Sequence, residues 1–320
     1  MKKVKIAKFL MNVLPNNPKY QENHFVSEIF RHPKYTSLSQ NEKELVLEKL
    51  VKNSIIEARQ KPFDLFYSSY SLKNILEGKK VLDLGCGIGG DAIVLGEKWN
   101  VSEFYGIDVN QQSIDTIIHF ISKYKTNIQY KFIESYAEKM PFENDFFDAI
   151  ISIDTFEHVR SVKETLLECN RILKKGGVEY IVFPSFNLPF GGAHIGSVTR
   201  MPFLEWFFSP KTINDAYQEI VSEWGEDKNW FKPTNETEEN WAVVKGGIGV
   251  NGTKYKDFVS IAEKIGFSKI TFVKIPLLYV SNIAIKYPIV KLFSLFLKPL
   301  LFIDYFKDYL TQRLVFILEK

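Results

Sequence analysis

Two carboxylates and a run of glycines are the residues of this sequence whose types and spacing best fit ligand chemistry. Asp83 falls at the end of an apolar run, Val81–Leu84. The glycines that follow are Gly85, Gly87, Gly89 and Gly90. Glycines at alternate positions let a chain turn tightly from a strand into a helix with no side chains over the turn. A ligand can therefore lie against bare peptide groups at the amino end of a helix.

The Asp83 carboxylate restricts the charge of that ligand. The glycines also satisfy G-x-G-x-x-G, a dinucleotide pattern that is a weak signal by itself. A pyrophosphate carries about two negative charges, and a carboxylate two residues before the turn would repel it. Phe104–Asp108 predicts a second strand ending in an acid about 20 residues downstream, where a ribose diol is held in such folds. A nucleoside with a cationic end fits both acids, and a nicotinamide dinucleotide is disfavoured.

These residues resemble the motifs of class I S-adenosylmethionine-dependent methyltransferases. Ser135–Phe142 resembles the segment along the adenine, although Tyr136 stands where the family usually has Asp. Phe146–Asp154 resembles the fourth strand, and Arg171–Gly177 resembles the helix end and Gly-Gly turn before a fifth strand at Val178–Phe183. The resemblance is strong over residues 78–184 and loose over 246–275 and 310–320.

The resemblance implies an α/β fold, a doubly wound seven-stranded mixed sheet with strand order 3-2-1-4-5-7-6. It implies S-adenosylmethionine as the cofactor, with S-adenosylhomocysteine as the product. Asp83 would hold the ammonium of the methionine end and Asp108 the ribose. The full implied binding set is Asp83, Gly85, Cys86, Gly87, Gly89, Asp108, Val109, Ala137, Glu138 and Asp154.

The chain divides into a core with an addition at its N-terminal end and two insertions further along. The segments are an N-terminal helical cap at 1–60, a cofactor-binding core at 61–184, an aromatic-rich lid insertion at 185–250, continued core at 251–275, an apolar insertion at 276–309 and a final core strand at 310–320. The alternating strand and helix patterns predict a parallel, doubly wound sheet. Both insertions follow strands, at the edge where ligands bind in such folds.

Three residues are candidates for the base that a hydroxyl or protonated amine acceptor requires. Glu157 and His158 follow the predicted fourth strand, and His194 lies in a Gly-rich stretch of the aromatic insertion. The alternative for Glu157 and His158 is that they open the next helix and bond locally. No acid and histidine set with clear ligand spacing is present, so no metal is expected.

The apolar insertion has two interpretations. A membrane-spanning helix needs about 20 consecutive apolar residues, and Lys286, Pro288, Lys291, Lys298 and Pro299 interrupt this segment too often. It is either a buried lid over an apolar cavity or an element lying on a bilayer surface with its lysines at the headgroups. The pattern favours the buried lid over peripheral membrane contact. The aromatic insertion likewise either lines a pocket or packs its rings onto the core.

Composition limits the remaining choices of function. The net charge of +3 is too small to argue for nucleic acid by itself. Two cysteines without zinc or disulfide spacing, and no cleavable leader pattern, predict a cytoplasmic protein, with membrane-peripheral placement as the alternative. The leading hypothesis is methyl transfer to an oxygen or nitrogen of a small, hydrophobic acceptor. The alternatives are an RNA or protein methyltransferase and a non-catalytic cofactor- or partner-binding module; the sequence does not indicate an oligomeric state.

Overall fold

The computed structural model describes residues 2–16, 29–30, 32–61, 72–189, 195–225, 250–279 and 288–320. The α-helices are α1 Lys2–Met11, α2 Pro33–Thr36, α3 Gln40–Gln60, α4 Leu72–Leu76, α5 Gly90–Trp99, α6 Gln111–Lys123, α7 Val162–Ile172, α8 Leu204–Phe207, α9 Pro210–Ser222, α10 Tyr255–Ile265, α11 Pro288–Leu295 and α12 Asp304–Leu310. The strands are β1 Lys80–Leu84, β2 Glu103–Asp108, β3 Gln129–Glu134, β4 Phe147–Ile153, β5 Leu173–Phe183, β6 Lys269–Val273 and β7 Leu314–Glu319. Short 3₁₀ helices span Ile195–Ser197 and Lys298–Phe302.

The strands form one seven-stranded sheet in the order β3-β2-β1-β4-β5-β7-β6. Strands β1 to β5 are parallel, and β7 runs antiparallel to both β5 and β6. This confirms the α/β fold class and the predicted strand order. The carboxyl ends of the parallel strands meet at one edge, where doubly wound folds bind ligands.

Both faces of the sheet carry an apolar layer, and β1 contributes to each. Val81 packs in the layer that includes α3 to α6, whereas Leu82 and Leu84 pack in the layer that includes α7 and α10. Successive side chains of a strand point to opposite faces. Asp83 therefore lies on the same face as Val81, facing the helix that follows the glycine turn.

One local prediction is wrong. The expected Gly-Gly stop before the fifth strand does not interrupt it, because β5 begins at Leu173 and continues through a register shift against β4. Gly176 takes φ +74 there, a backbone conformation that favours glycine. At the amino end of α10, the N-cap residue Lys254 forms no side-chain cap, and Asp308 accepts a hydrogen bond from the Tyr255 amide there, at 2.8 Å.

The first helix packs on the aromatic insertion. Ala7 and Met11 of α1 share an apolar cluster with Phe186 and with α9. The Thr199 hydroxyl donates to the Met11 carbonyl at 2.8 Å. In the described part of the insertion, several rings therefore pack against other elements, while Phe207 remains 77% exposed.

The described part of the apolar insertion exposes many of its large apolar side chains, contrary to the favoured interpretation of a buried lid. Ser294 and Leu301 are buried, but Phe293, Phe296 and Phe302 are 62%, 73% and 72% exposed. Apolar composition predicts burial only when another element covers the face, and among the described residues none covers this one. In the parts of the chain that the structure describes, no helix is both long and apolar enough to cross a membrane.

Replacement of Glu179 by Gln is expected to stabilise the protein at alkaline pH. Glu179 is fully buried in β5, and burial raises its pKa to about 8, although the neighbouring Cys169 thiol opposes the shift. The unfolded chain releases this proton near pH 4.5 and the folded protein keeps it. Stability is therefore lost as the pH rises between these values, by up to about 1.4 kcal/mol per pH unit.

Urea unfolding at pH 5 and pH 8 measures this effect. We expect the free energy of unfolding of Glu179→Gln, relative to that of the wild-type protein, to be larger at pH 8 than at pH 5. Glu164→Gln, which changes an exposed glutamate on α7, is the matched control and should follow the wild type. Equal pH dependence in the Glu179→Gln and wild-type proteins would contradict the assignment.

Candidate functional site

A cavity of about 570 Å³ lies at the carboxyl edge of the sheet, between the glycine turn and α3. Ligand-binding pockets commonly enclose about 300–1,000 Å³. The long helix α3 contributes Leu50, Asn53, Ser54 and Glu57 to its wall. Part of the predicted N-terminal helical segment therefore lies over the turn.

The glycine turn has the shape that a ligand requires. Gly87 has φ +51, and a Cβ added there would meet no protein atom within 4 Å. Because Gly87 lines the cavity, that open space is part of the cavity. A Cβ at Gly90 would come within 2.0 Å of the Ser54 hydroxyl oxygen. Gly90 is thus needed for α3 to approach the turn, and Gly87 for a ligand to do so.

Asp83 is a buried acid with an unused acceptor. The residue is 3% exposed and is not among the residues that line the cavity. Among the described residues, no donor reaches its Oδ2 atom. Burial raises the pKa of Asp83 well above its usual value, and the negative charges of Asp91 and Asp108 raise it further. A cationic donor, such as the ammonium group of an amino acid, would supply the missing hydrogen bond to Oδ2 and would stabilise the charged form of Asp83.

Asp108 holds the turn in place from the end of β2. The Gly87 amide donates to Asp108 Oδ2 at 2.9 Å, and the Asn110 amide donates to Oδ1 at 2.8 Å. Burial raises the pKa of Asp108, although these amide hydrogen bonds oppose the shift. Each carboxylate oxygen keeps a second lone pair, so the group can still accept from a ribose hydroxyl.

The end of β4 brings a second set of charged groups to the cavity. Asp154 has φ +56, a conformation that Asp tolerates, and forms an ion pair with Arg313. Glu157 is 4% exposed, and its Oε1 lies 3.8 Å from His158 Nε2. Burial, reinforced by the charge of Asp154, raises the pKa of Glu157 to about 8. A carboxyl with such a pKa exchanges its proton near neutral pH.

Asn251 positions this acid and histidine pair. Its backbone amide donates to the Glu157 carbonyl at 2.7 Å. Its side-chain amide donates to the carbonyls of Phe156 and Val159 at 2.7 and 3.0 Å. The segment that carries Glu157 and His158 is therefore held in place by the residue that precedes α10 by four positions, a contact that no sequence signal indicated.

Of the remaining predicted site residues, some line the cavity and others do not. Gly85 and Cys86 line the cavity, while Gly89 begins α5 with φ +76. Ala137 is buried, and Val109 is 57% exposed. His194 falls outside the described residues.

Glu138 has a structural contact that the sequence did not indicate. Its Oε1 accepts from the backbone amides of Arg160 and Ser161, at 2.6 and 3.2 Å. The adjacent Tyr136 ring lies 4.3 Å from the Arg160 guanidinium carbon. These contacts join the adenine-type segment to the loop before α7; cofactor contacts at Ala137 and Glu138 stay predictions.

The cavity also contains charged residues that the sequence analysis missed. Lys61 Nζ lies 2.5 Å from Asp91 Oδ2, and both residues line the cavity with Arg313. Asp91 follows the last glycine directly, so its position could have been noticed. Lys61 and Arg313 have no local signal, because only the fold brings the end of α3 and the start of β7 to this edge.

The charge pattern fits the cofactor that the sequence indicated. Acids at the base of the turn favour an ammonium or sulfonium and oppose a pyrophosphate. Arg313 and Lys61 already pair with Asp154 and Asp91 in the cavity wall, and their remaining N–H groups can donate to a ligand carboxylate. In the described residues, no group of three His, Cys, Asp or Glu side chains could hold a metal ion. Independence from metals stays a prediction.

Comparisons with known proteins find similarity over part of the chain. Residues 82–183 match the family described as methyltransferase domain. A sterol 24-C-methyltransferase of Gibberella zeae is 33% identical over 104 residues, which are 32% of this chain and 27% of that protein. A fatty-acid O-methyltransferase of Mycolicibacterium smegmatis is 28% identical over 38% of this chain and 44% of its own length. Phosphoethanolamine N-methyltransferase 2 of Haemonchus contortus, solved with S-adenosyl-L-methionine, aligns over 78% of this chain and 51% of that chain, with 17% identity and a TM-score of 0.46.

The chain therefore carries a methyltransferase domain over residues 82–183, set in the seven-stranded sheet described above. It spans less than half the length of these two curated relatives.

Proposed function

We propose that this protein transfers a methyl group from S-adenosylmethionine to an oxygen or nitrogen of a small, hydrophobic acceptor, releasing S-adenosylhomocysteine. The observation that carries the proposal is a single cavity that combines two features. One is the open glycine turn backed by Asp83 and Asp108, and the other is the Glu157–His158 pair in the wall. The first suits the donor and the second suits an acceptor that must lose a proton.

For this reaction, the protein must align the two reactants and accept a proton from the acceptor. The cofactor supplies an electrophilic methyl group on a sulfonium. Asp83 and Asp108 would orient its two ends, and holding two reactants in contact can supply about 7–11 kcal/mol of the barrier. Glu157, His158 and His194 are the candidates for the base, which contributes about 10²–10⁴-fold.

Two observations support a small, hydrophobic acceptor. The relatives named above act, by their names, on sterols and a fatty acid, which are small lipophilic molecules. The chain inserted between β6 and β7 is rich in apolar side chains, and both of its ends lie at the carboxyl edge of the sheet, where the cavity is. The Glu157–His158 pair favours oxygen or nitrogen as the methylated atom, because a hydroxyl or ammonium must be deprotonated.

The alternatives have weaker support. An RNA substrate would be expected to meet a strongly basic surface, whereas the net charge is only +3. A non-catalytic module would not need an acid and histidine pair beside the donor site. We infer a cytoplasmic location from Cys86 and Cys169, which are both free and buried.

Incubation with methyl-labelled S-adenosylmethionine tests the proposal. The acceptors to offer are fatty acids, sterols with free hydroxyls and long-chain amines, each analysed by mass spectrometry for the position of the label. We expect an O- or N-methylated product from at least one of these classes. Label appearing only in RNA or protein from a cell extract would contradict the proposal.

Glu157→Gln and His158→Gln are each expected to lower turnover while leaving cofactor affinity unchanged. The loss should reach about 10²–10⁴-fold in the variant that removes the base. With Glu157 as base, kcat/KM rises with pH up to about 8, where its raised pKa lies, and this rise disappears in Glu157→Gln. Initial rates across pH and calorimetric titration with the cofactor measure both effects.

His119→Gln is the matched control for His158→Gln. The His119 side chain is 42% exposed and lies 3.8 Å from a glutamate, as the His158 side chain does, but it is on α6 and does not line the cavity. Its replacement should leave turnover unchanged. Wild-type rates in both the Glu157 and His158 variants would leave His194 as the candidate base.

A further inference from the structure

Part of the apolar insertion presents an uncovered apolar surface, defined here as the apolar face. Its members are large apolar side chains between 38% and 73% exposed: Ile289, Leu292, Phe293, Leu295, Phe296, Leu300, Phe302, Ile303 and Tyr305. Single exposed apolar residues are normal, but a concentration of them within one short stretch of chain marks an interaction site. The helix α11 has only eight residues, too few to span a bilayer.

Positive charge borders the apolar face. Lys274 Nζ lies 3.4 Å from the centre of the Phe302 ring. Burial and the ammonium groups of Lys307 and Lys298 lower the pKa of Lys274, so the three lysines are close neighbours. Lys307 pairs with Asp304 at 2.6 Å. Among the described residues, no carboxylate lies within ion-pair distance of Lys274 or Lys298, so their charge is available to an anionic partner.

Aromatic residues extend the apolar face onto the lid. The rings of Trp206 and Tyr309 lie 5.8 Å apart, and those of Tyr309 and Tyr305 lie 5.2 Å apart. Phe207, beside Trp206 in α8, is 77% exposed. Trp and Tyr rings have an apolar body and a polar atom, which suits the boundary between hydrocarbon and headgroups.

We propose that the apolar face, with Lys274 and Lys298, docks onto the surface of an anionic phospholipid bilayer. Apolar side chains enter the acyl boundary while the ammonium groups meet the phosphates, each cation contributing to the attraction. A second copy of the chain fits less well, because a two-fold contact through this face would bring the same uncompensated lysines together.

Docking would also connect the bilayer with the cavity, and this part rests on the proposed function. The inserted chain leaves β6 at Val273 and rejoins the sheet just after Arg313, which lines the cavity. Because β6 ends and β7 begins at the carboxyl edge, both ends of the inserted chain lie at the edge of the sheet that carries the cavity, and Arg313 at one end lines the cavity itself. A lipophilic acceptor dissolved in the bilayer could then reach the site without crossing water.

Vesicle co-sedimentation of the full chain tests the docking. The vesicles are phosphatidylcholine alone, or phosphatidylcholine mixed with phosphatidylglycerol. We expect the wild-type protein to pellet with the mixed vesicles, and a Phe293→Ser, Phe296→Ser, Phe302→Ser triple variant to partition at least about tenfold less. A Lys274→Gln, Lys298→Gln double variant should lose the preference for the anionic mixture.

Controls separate this proposal from misfolding and from the proposed function. Leu45→Ser with Ile118→Ser removes exposed apolar side chains, 66% and 47% exposed, from other helices and should pellet like the wild type. Calorimetric titration with S-adenosylmethionine should give the same affinity in every variant. Vesicle binding without cofactor binding would contradict the proposed function alone.

Three results would overturn the docking itself. One is a wild-type protein that stays in the supernatant with both kinds of vesicle while binding the cofactor. Another is a triple serine variant that pellets as well as the wild type. The third is a wild-type protein that is dimeric in light scattering and a triple variant that is monomeric, which would assign the face to a second copy of the chain.

Discussion

Replacement of Gly87 by Val is expected to reduce S-adenosylmethionine binding below detection. Gly87 lines the cavity, and the space beside its Cα contains no protein atom within 4 Å. A valine side chain would fill the volume over the turn where we place the cofactor. The positive φ of +51 adds strain for any β-branched residue. Isothermal titration calorimetry with the cofactor measures the loss.

A second glycine separates the steric effect from the strain. Gly78 also has positive φ, +67, and open space around it, but it lies in an exposed turn before β1, away from the cavity. Gly78→Val therefore carries similar strain without entering the site. We expect it to lower the unfolding temperature and to keep cofactor affinity. Equal affinity in the Gly87→Val and wild-type proteins would mean that the cofactor does not lie over this turn.

Asp83→Asn is expected to weaken cofactor binding and to stabilise the cofactor-free protein. The loss of a hydrogen bond from the ligand's ammonium to a charged acceptor is worth about 1.5–3 kcal/mol, which is roughly 10- to 150-fold in affinity. Burial raises the Asp83 pKa well above 3.8. Folding stability is therefore lost as the pH rises from that unfolded value toward the folded pKa, and an uncharged Asn avoids this loss.

Asp83→Asn is informative because its expected effects on cofactor affinity and on folding stability have opposite signs. A residue with only a structural role would lose stability and binding together, whereas we expect the unfolding temperature at neutral pH to stay equal or rise. The wild-type affinity should also increase with pH through the Asp83 pKa, and Asp83→Asn should lack that increase. Asp115→Asn, on the exposed side of α6, is the control. Unchanged cofactor affinity in Asp83→Asn would remove Asp83 from the site.

The sequence predicted the sheet well because its signals are local. Val81 and Leu82 belong to a short apolar run that marks a buried strand, and the glycines after it mark the turn. In the structure, Gly266 ends α10 with φ +93. Each of these features depends on a few neighbouring residues. The strand order came from the family resemblance, and the structure confirms it.

The charged part of the cavity was predicted less completely because it is assembled from distant segments. Arg313 reaches Asp154 only because β7 inserts antiparallel beside β5. Lys61 pairs with Asp91 because α3 crosses the turn, which Gly90 permits. Neither contact has a sequence spacing that could have shown it.

The apolar insertion shows a different limit. Its composition indicates that it avoids water, and the two interpretations of a buried lid and a bilayer-facing element share that composition. Only the packing distinguishes them, and in the described residues Phe296 and Phe302 have little protein against them. Exposure of this kind depends on what the rest of the fold leaves uncovered.

A crystal structure with bound S-adenosylhomocysteine tests the central claim most directly. We expect density for the ligand over Gly87, with its amino-acid end toward Asp83 and its ribose hydroxyls toward Asp108. Density for the ligand outside this cavity, or an empty cavity in crystals soaked at a saturating ligand concentration, would contradict the account.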